Sequence, residues 1–391
     1  MTTQLAPNVL SWATHIDQTT IDQAVALAGL PFIHPHIALM PDAHAGKGSA
    51  VGTVIPTEGA VIPAAVGVDI GCGMIAARTR YTEADLERID LSELRDQVER
   101  AIPLSPGNYN SRVHHDHTHD RVAELEALAE RNEVDLSHSP KWREQLGSLG
   151  GGNHFIELCL DETGAVWCFL HSGSRGVGNK IAQKHIKIAQ ALCKRWHIQL
   201  ADRDHAYLPQ GTPEFTRYLT ELHWAQTFAR LNRDEMMDRF LDQLARLFGD
   251  DDAGETERVN CHHNYTETVQ VGGRKVWLTR KGAIDATEGR MGCIPGSMGT
   301  RSYIVRGKGN PSALFSAPHG AGRAMSRTQA RKRFTAADLD EAMRGIVYRP
   351  GDEWVDEIPA AYKDIDQVME DAADLVEVVH ELRQVMNVKG T

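Results

Sequence analysis

The stretch from Val61 to Arg80, VIPAAVGVDIGCGMIAARTR, contains two apolar runs that are joined by a glycine-rich turn. The runs Val61–Val66 and Met74–Arg80 predict buried strands. Asp69 and Cys72 lie three residues apart on the turn, where the glycines allow both side chains to point to one place. A thiolate that bridges two cations beside a carboxylate needs this geometry. A structural zinc site fits the same pair of residues, and the turn alone does not distinguish it from a site for two bridged cations.

The composition is that of an ordinary globular protein. Of its 391 residues, 41% are hydrophobic and 24% are charged, and the formal net charge is −11. This charge argues against a protein that coats nucleic acid through its overall field, although it allows a local basic groove. Basic residues are concentrated in residues 274–281 and 323–333, where a solvated surface explains them equally well.

The sequence indicates a cytoplasmic protein. No apolar run reaches the roughly 20 residues that cross a bilayer, and the N-terminus has neither a basic region nor an apolar core of a signal peptide. The six cysteines form no CxxC pair and show no disulfide-framework spacing. We therefore expect free thiols, a reducing compartment and no membrane partner.

Short strands and long helices are mixed along the chain without regular alternation, which indicates an α+β fold. The further predicted strands are Ala50–Pro56, Phe155–Leu160, Val166–His171, Lys275–Thr279 and Ser302–Arg306. The predicted helices are Glu83–Arg100, Asn179–His197, Pro213–Phe248 and Ile365–Val385. Residues 103–140 and 249–256 are predicted to be surface loops. We expect residues 1–391 to form a single compact domain, with mixed sheets flanked by long helices and site loops at strand ends.

Four motifs that are rich in glycine or asparagine carry histidines. They are Gly150–Glu157, Leu170–Asn179, Asn260–Tyr265 and Pro318–Arg323. One such histidine is more often a core or surface residue than a ligand. Four of them, together with Asp69 and Cys72, supply the mixed nitrogen, oxygen and sulfur ligands of a two-metal site that would support phosphoryl transfer. Zinc is the default metal of Cys/His sites, and the carboxylate leaves room for manganese.

Two glycine-rich loops are candidates for phosphate binding, although the chain has no P-loop motif. Gly173–Asn179 leads into a helix, so that its amides and Arg175 could hold an anion. Pro295–Gly299 is a second flexible loop that could admit a nucleotide. The cluster His114–His119 invites a metal assignment, but a solvated loop is the simpler interpretation.

Taken in order, these motifs resemble the RtcB-type RNA ligases, a family that depends on GTP and manganese. The resemblance runs from about Pro31 to Lys389. It is carried by Met40–Gly48, Val68–Met74, Gly152–Glu157, His171–Gly176, His263-Asn264, Pro295–Gly299, His319–Arg323, Asp356–Pro359, Ala361–Asp364 and Val388–Gly390. The chain departs from many relatives at Ala317-Pro318, before His319, where the proline stiffens the loop.

The resemblance implies a set of metal ligands, a nucleophile and a nucleotide site. Cys72 would bridge two manganese ions, and His319 would attack the α-phosphate of GTP and become guanylylated. The other ligands would be His154 and His171 for one ion, and Asp69 and His263 for the second. Residues at family positions for the guanine nucleotide are Asn153, Phe155, Glu157, Asn264, Pro295, Ser297, Met298, Ser302, Gly320, Ala321, Gly322, Tyr362 and Lys389. Those for phosphate or the RNA end are Arg175, Lys281, Arg323 and Arg327, with Asp42 as an acid near the site.

The activity that the resemblance implies is the joining of RNA 2′,3′-cyclic phosphate or 3′-phosphate ends to 5′-hydroxyl ends, in tRNA splicing or RNA repair. A cyclic phosphate is opened, guanylate passes from His319 to the 3′-phosphate, and the 5′-hydroxyl then displaces GMP. The implied substrates are tRNA halves or nuclease-damaged RNA. The resemblance also allows for an activating protein, and we expect the chain to be a monomer. The alternatives are a metal-dependent cyclic phosphodiesterase without sealing activity and an RNA-binding protein with a structural zinc.

Overall fold

Two β-sheets that share one apolar core organise the chain. The computed structural model describes residues 2–113 and 116–390. The strands are β1 (Thr3–Ala6), β2 (Val9–Ser11), β3 (Ile37–His44), β4 (Val51–Thr57), β5 (Ala60–Val61), β6 (Gly73–Thr82), β7 (Phe155–Leu160), β8 (Ala165–Ser172), β9 (Leu208–Pro209), β10 (Glu257–His262), β11 (Asn264–Val271), β12 (Arg274–Lys281), β13 (Ala283–Asp285), β14 (Met291–Ile294), β15 (Ser302–Gly307), β16 (Ser316–Pro318) and β17 (Val376–Lys389). The helices are α1 (Gln18–Ala28), α2 (Pro63–Val66), α3 (Glu83–Leu86), α4 (Leu91–Ala101), α5 (Asp116–Arg131), α6 (Trp142–Gln145), α7 (Arg175–Arg195), α8 (Pro213–Phe248), α9 (Arg327–Arg333), α10 (Ala336–Ala342) and α11 (Ile365–Asp371).

The sheets have six and seven strands. The first has the order β1-β2-β3-β4-β12-β11, and the second has the order β10-β6-β8-β7-β17-β15-β14. Neighbours in these sheets pair antiparallel, except for the parallel pair β2 and β3. Side chains of both sheets, such as Met40, Val276, Trp167 and Phe169, meet in one buried cluster. The α+β class predicted from the sequence is therefore confirmed.

The long helix α8 covers the outer face of the seven-stranded sheet. The Thr212 hydroxyl accepts a hydrogen bond from the backbone N–H of Phe215, Pro213 occupies the first helical position, and Gly249 ends the helix in the left-handed region with φ 79°. The helix has the predicted bounds, and residues such as Phe240 are buried against β6, β8 and α4. Within residues 2–113 and 116–390, no helix combines the length and the apolar character needed to span a bilayer.

Two predicted elements are wrong. Val61–Val66 is not a strand: β5 ends at Val61, and Pro63 begins the short helix α2, because proline fits the first turn of a helix but cannot donate to a sheet ladder. The helix predicted over Ile365–Val385 is correct only for α11. From Val376 the chain forms the strand β17, where its β-branched residues are well accommodated.

Two further regions differ from the expectation. The helix predicted over Glu83–Arg100 is divided into α3 and α4, because Asp90 accepts a hydrogen bond from the backbone N–H of Ser92 (2.8 Å) and starts a new helix. Residues 103–140 contain α5, which packs its buried side chains into the cluster beneath α7 and α8. Of the predicted histidine cluster, His114 and His115 lie outside the described residues. His117 lies 3.3 Å from the buried Glu235 of α8, so this part of the segment is docked rather than solvated.

Candidate active site

Neighbouring strands of the seven-stranded sheet bring the predicted metal ligands together. The register pairs Met74 of β6 and Phe155 of β7 with His171 of β8. Cys72 directly precedes β6 and His154 directly precedes β7, so both lie at the end of the sheet where His171 is found. Strand β10 pairs with the other side of β6, and the residue that follows it is the remaining predicted histidine ligand.

Five donor side chains converge at this end of the sheet. The Cys72 Sγ lies 3.4 Å from His154 Nε2 and 3.2 Å from His171 Nε2. His154 Nε2 is 3.1 Å from Asp69 Oδ2, and His171 Nε2 is 2.9 Å from His263 Nε2. Cys72, His154 and His171 form a buried group whose ligand atoms lie within 4.8 Å of one another. These three residues are the ones that the resemblance assigns to one ion, and Asp69 and His263, which it assigns to the second, border the group at His154 and His171.

The second ring nitrogen of two histidines fixes the position of the proton. His154 Nδ1 donates to the carbonyl oxygen of Leu149 (2.9 Å), and His171 Nδ1 donates to that of Asn153 (3.2 Å). Because a carbonyl oxygen can only accept, each Nδ1 carries a proton, and in the neutral ring that binds a metal Nε2 presents the lone pair. His154 Nε2 points to the Asp69 carboxylate, and His171 Nε2 points to His263 Nε2. Such a set of facing donors fits a cation, so the residues present are suited to metal binding.

The charge states also suit metal ligands. Burial, reinforced by neighbouring imidazoles, places the pKa of His171 and that of His263 well below their ordinary value, so both rings are neutral. Burial alone would raise the pKa of Asp69, but hydrogen bonds from its neighbours, among them His154, Cys72 and the backbone N–H of Ser174, outweigh it and lower that pKa. Burial, together with Asp69, raises the pKa of the Cys72 thiol, so only a bound cation would make it a thiolate.

Two glycines leave the space that this cluster occupies. A Cβ on Gly173 would lie 2.2 Å from Asp69 Oδ1, so any larger residue would displace the carboxylate. Gly150 has φ 97°, and a Cβ there would lie 2.7 Å from His154 Nδ1 and 2.2 Å from Arg175 Nη1. The glycine-rich character of both motifs therefore follows from the close approach of backbone to ligands.

His319, which follows β16, lies beside this cluster. Its Nδ1 donates to Asp42 Oδ2 (2.6 Å), and its backbone N–H donates to the same oxygen (3.2 Å). Asp42 is on β3 and is fully buried. Because the carboxylate accepts the Nδ1 proton, it favours the neutral tautomer in which Nε2 carries the lone pair. The His319 ring is 4.6 Å from the ring of His263, centroid to centroid, so it lies next to the candidate metal donors.

A cavity of about 360 Å³ opens next to His319, and this active-site cavity collects most of the predicted nucleotide residues. This volume is within the range of small-molecule sites. The predicted residues that line it are Asn153, Phe155, Glu157, Asn264, Pro295, Ser297, Met298, Gly320, Ala321, Gly322, Tyr362 and Lys389. Ser302 does not line it, because the side chain is fully buried in β15.

Comparison with known proteins decides the family. A family model described as tRNA-splicing ligase RtcB matches residues 23–390. The chain belongs to the RtcB family. The RNA-splicing ligase RtcB of Escherichia coli strain K12 is 46% identical over 409 residues, which cover 100% of this chain and 99% of the relative. The resemblance predicted from the motifs is therefore confirmed.

More distant members of the RtcB family are also similar over most of their length. The tRNA-splicing ligase RtcB of Pyrobaculum aerophilum is 32% identical, with 90% of this chain and 87% of the relative covered. The RNA-splicing ligase RtcB of Mycobacterium tuberculosis strain H37Rv is 30% identical, with coverage of 89% and 95%. The chain thus spans nearly the whole length of these family members.

Of the four cationic residues predicted to bind phosphate or the RNA end in this RtcB-family chain, three line the cavity and one does not. Lys281, Arg323 and Arg327 line it. Burial lowers the pKa of Lys281 to about 8, and its Nζ donates to the carbonyl oxygen of Ser49 (2.8 Å). Arg175 does not line the cavity: it begins α7, and its Nε donates to the hydroxyl of Ser148 (2.9 Å). The expected loop over Gly173–Asn179 is therefore mostly helix, and its arginine supports the cluster from the side.

Three polar residues that line the cavity were not singled out from the sequence. They are His44, Glu357 and Asn387. Glu357 accepts hydrogen bonds from the Tyr362 hydroxyl (2.7 Å) and from Lys389 Nζ (3.0 Å), and it also pairs with Arg327. Glu357 belongs to the motif Asp356–Pro359, so the family resemblance could have identified it as a site residue.

The register of β17 explains two further positions. Asn387 lies opposite Glu157 of β7, and Lys389 lies opposite Phe155. The Asn387 Nδ2 donates to Glu157 Oε1 (2.9 Å). Burial raises the pKa of Glu157 to about 8, so this carboxyl group carries a proton at neutral pH.

Lys363 connects strand β3, which carries Asp42, to the loop that follows His319. Its Nζ donates to the carbonyl oxygens of Pro41 (3.1 Å) and Ala43 (2.7 Å), on either side of Asp42. Its backbone N–H donates to the carbonyl oxygen of Gly322 (2.9 Å), in the loop that follows His319. One lysine therefore fixes Asp42 and the loop after His319 relative to each other.

Proposed function

We propose that the chain acts as one catalytic domain, a GTP- and manganese-dependent RNA ligase that joins 2′,3′-cyclic phosphate or 3′-phosphate ends to 5′-hydroxyl ends. One observation carries the proposal: the ring of His319, held at Nδ1 by Asp42, lies beside a buried cluster of candidate metal donors, in the cavity that collects the nucleotide residues. Membership of the RtcB family and the names of its relatives support the same reaction.

The donor set is suited to two divalent cations. Cys72, His154 and His171, whose ligand atoms lie within 4.8 Å of one another, would hold one ion, and Asp69, Cys72 and His263 would hold the other. Cys72 would be the shared ligand, because its thiol contacts His154 and His171 and hydrogen-bonds to Asp69. Thiolate and imidazole are typical ligands of zinc, whereas the carboxylate suits manganese, and the resemblance to manganese-dependent RNA ligases decides for manganese in this proposal. The bound ions would neutralise phosphate charge and align the transferred phosphoryl group.

His319 performs the first covalent step. Its Nε2 lone pair attacks the α-phosphorus of GTP, a P–N bond forms, and the bond to the bridging oxygen breaks so that pyrophosphate leaves with the electron pair. Asp42 holds the Nδ1 proton and stabilises the positive charge that develops on the ring. Lys281, Arg323 and Arg327 are placed to bind phosphate oxygens.

The same nitrogen then acts as a leaving group. An oxygen of the RNA 3′-phosphate attacks the guanylate phosphorus, the P–N bond breaks, and its electron pair returns to Nε2 of His319. The 5′-hydroxyl of the second strand attacks the activated 3′-phosphate, loses its proton, and displaces GMP. A 2′,3′-cyclic phosphate enters this sequence after water opens the ring to a 3′-phosphate. An ionised Glu157 would accept hydrogen bonds from the N–H groups of the guanine edge.

Labelling with α-³²P GTP in the presence of manganese tests the proposal. We expect the chain to become covalently labelled, His319→Ala to remain unlabelled, and the control His223→Ala, at an exposed position of α8, to be labelled normally. An unlabelled wild-type chain, or a label that persists in His319→Ala, would refute the proposal. Opening of a cyclic phosphate without any label or sealing would instead identify a phosphodiesterase.

A further inference from the structure

Helix α7 has an unusual charge for this chain. It contains no Asp or Glu in 21 residues, whereas the chain as a whole has a net charge of −11. Its cations are Arg175, Lys180, Lys184, Lys187, Lys194 and Arg195. The helix starts at the metal donors, because the backbone N–H of Ser174, directly before it, donates to Asp69 Oδ1 (3.1 Å). A helix of this length extends about 30 Å from that point.

A groove of about 400 Å³ lies along one face of α7 and continues the active-site cavity. The groove and the cavity share Gly67, Val68 and Lys281 as lining residues. Gln183, Lys187 and Gln190 of α7 also line it, and this spacing places them on one face of the helix. The groove therefore leads from the surface to the position of His319 and the metal donors.

The opposite wall of this groove is also basic. Lys47 and Arg203 line it, and 83% of the Arg203 side chain is exposed. Among the described residues that line the groove, the only acid is Asp204, whose Oδ1 accepts a hydrogen bond from Gln190 Nε2 (3.0 Å). The groove is thus lined by four cations and by a single carboxylate, which already accepts a hydrogen bond. The cations are Lys47, Lys187, Arg203 and Lys281.

The loop that carries Lys47 is held in place. Gly48 has φ 78°, and a Cβ there would lie 3.1 Å from the Cβ of Ala64, so the loop packs closely on α2. Lys281 Nζ donates to the carbonyl oxygen of Lys47 (2.5 Å). The side chain of Val68, 40% exposed, adds an apolar surface at the junction of groove and cavity. The basic groove is therefore a fixed feature with an apolar contact point at its inner end.

We propose that this groove, through Lys47, Lys187 and Arg203, binds the sugar–phosphate backbone of the RNA strand whose reacting end lies at His319. The inference rests on the proposed function and adds the path of a substrate strand. Cations bind the phosphates, the glutamine amides donate to phosphate or ribose oxygens, and Val68 packs against a base or ribose. These contacts involve no base edge, so binding in the groove is independent of sequence.

The test compares a double variant with a control of the same charge change. Lys187→Ala with Arg203→Ala alters the groove. Arg274→Ala with Lys275→Ala alters the distant hairpin between β11 and β12. Sealing is measured with oligonucleotides of 3 and 12 nucleotides, in one arm as the 3′-phosphate strand and in the other as the 5′-hydroxyl strand.

We expect the groove variant to raise KM about tenfold for the 12-mer in one arm, which identifies the strand, and to leave the 3-mer unchanged. The slope of log affinity against log salt should fall by about 1.4, because two phosphate contacts are lost from a single strand. GTP labelling should be unaffected. An unchanged KM for the 12-mer in both arms, or an equal rise in the control variant, overturns the inference.

A failure of the proposed function is distinguishable from a failure of this inference. If the wild-type chain is not labelled by GTP, the ligase proposal fails, and the groove is tested by fluorescence anisotropy with the same labelled 12-mers. The groove variant should then bind one of them about tenfold more weakly than the control variant does. Equal affinity of the two variants for both 12-mers overturns the groove assignment.

Discussion

The Asp42 carboxylate and the His319 imidazole are joined by a 2.6 Å hydrogen bond that fixes the proton of the ring on Nδ1. The same carboxylate oxygen also accepts the backbone N–H of His319, so one oxygen holds both the ring and its main chain. The other oxygen, Oδ1, is buried and has no hydrogen-bond partner among the described residues. The function of this aspartate is therefore concentrated on the orientation of His319.

Asp42→Asn should slow guanylylation about a thousandfold, because an amide no longer enforces the tautomer with a free Nε2. The rate is measured by single-turnover labelling with GTP and manganese. GTP binding should persist, and Asp22→Asn on the exposed surface of α1 should behave as wild type. A labelling rate within threefold of wild type would show that Asp42 does not control the nucleophile.

Lys363→Met should slow guanylylation about a hundredfold, because a shift of the nucleophile by about 1 Å has an effect of this size. Sealing of an RNA that already carries a 3′-guanylate should continue at the wild-type rate, since that step does not use His319 as a nucleophile. Lys363→Arg should restore part of the labelling rate. An equal loss in both steps would indicate general destabilisation instead of positioning.

Metal content should follow the grouping of the donors. Cys72→Ala should lose both manganese ions, whereas Asp69→Ala and His263→Ala should each keep one. Bound manganese per chain is measured by mass spectrometry after gel filtration, with Cys193→Ala, a thiol on α7, as the control that keeps both. Retention of both ions in Asp69→Ala would contradict the assignment of this carboxylate.

The raised pKa of Glu157 predicts a pH dependence of stability. The folded carboxyl has a pKa of about 8, above its ordinary value of 4.5, so the folded chain holds an additional proton between these two pH values. The free energy of unfolding therefore falls as the pH rises through this window, by up to about 1.4 kcal/mol per pH unit. This contribution to stability is fully present below pH 4.5 and lost above pH 8.

Glu157→Gln should remove this dependence, because glutamine resembles the protonated carboxyl. In urea unfolding without nucleotide, the variant should be more stable than wild type at pH 8.5 and close to it at pH 5. Glu87→Gln, at an exposed position after α3, serves as the control and should not change the pH profile. Lower stability of Glu157→Gln at pH 8.5 would refute the assignment.

The elements that the sequence predicted well are those with strong local signals. Helix α8 has a capping threonine, an N-terminal proline and a terminal glycine, and both of its ends were predicted correctly. Strand β17 was mistaken for a helix because Val379 and Leu382 continue the helical spacing of the apolar residues that precede the strand. A register shift between Gln384 and Met386 interrupts the strict alternation that would have identified a strand. The strand forms because β17 pairs with β7 and β15, which lie elsewhere in the sequence.

In the candidate site, too, the sequence identified individual residues but not the contacts that depend on distant parts of the chain. The family resemblance supplied the donors Cys72 and His171, and the structure brings them within contact. It did not supply the contacts between the two ligand sets, such as that of Asp69 with His154, because these depend on how neighbouring strands end. Nor did it indicate the role of Lys363, whose partners are backbone carbonyl oxygens of β3 and carry no side-chain signature.

The position of β6 between β8 and β10 also sets an order for biosynthesis. Cys72, His154 and His171 have all been translated once β8 is complete, whereas His263 follows only after the long helix α8. An ion that these three residues would hold could therefore be captured by a nascent chain, and the second would have to wait for β10 to pair with β6. On this assignment, the two metals would enter the protein one after the other, in the direction of translation.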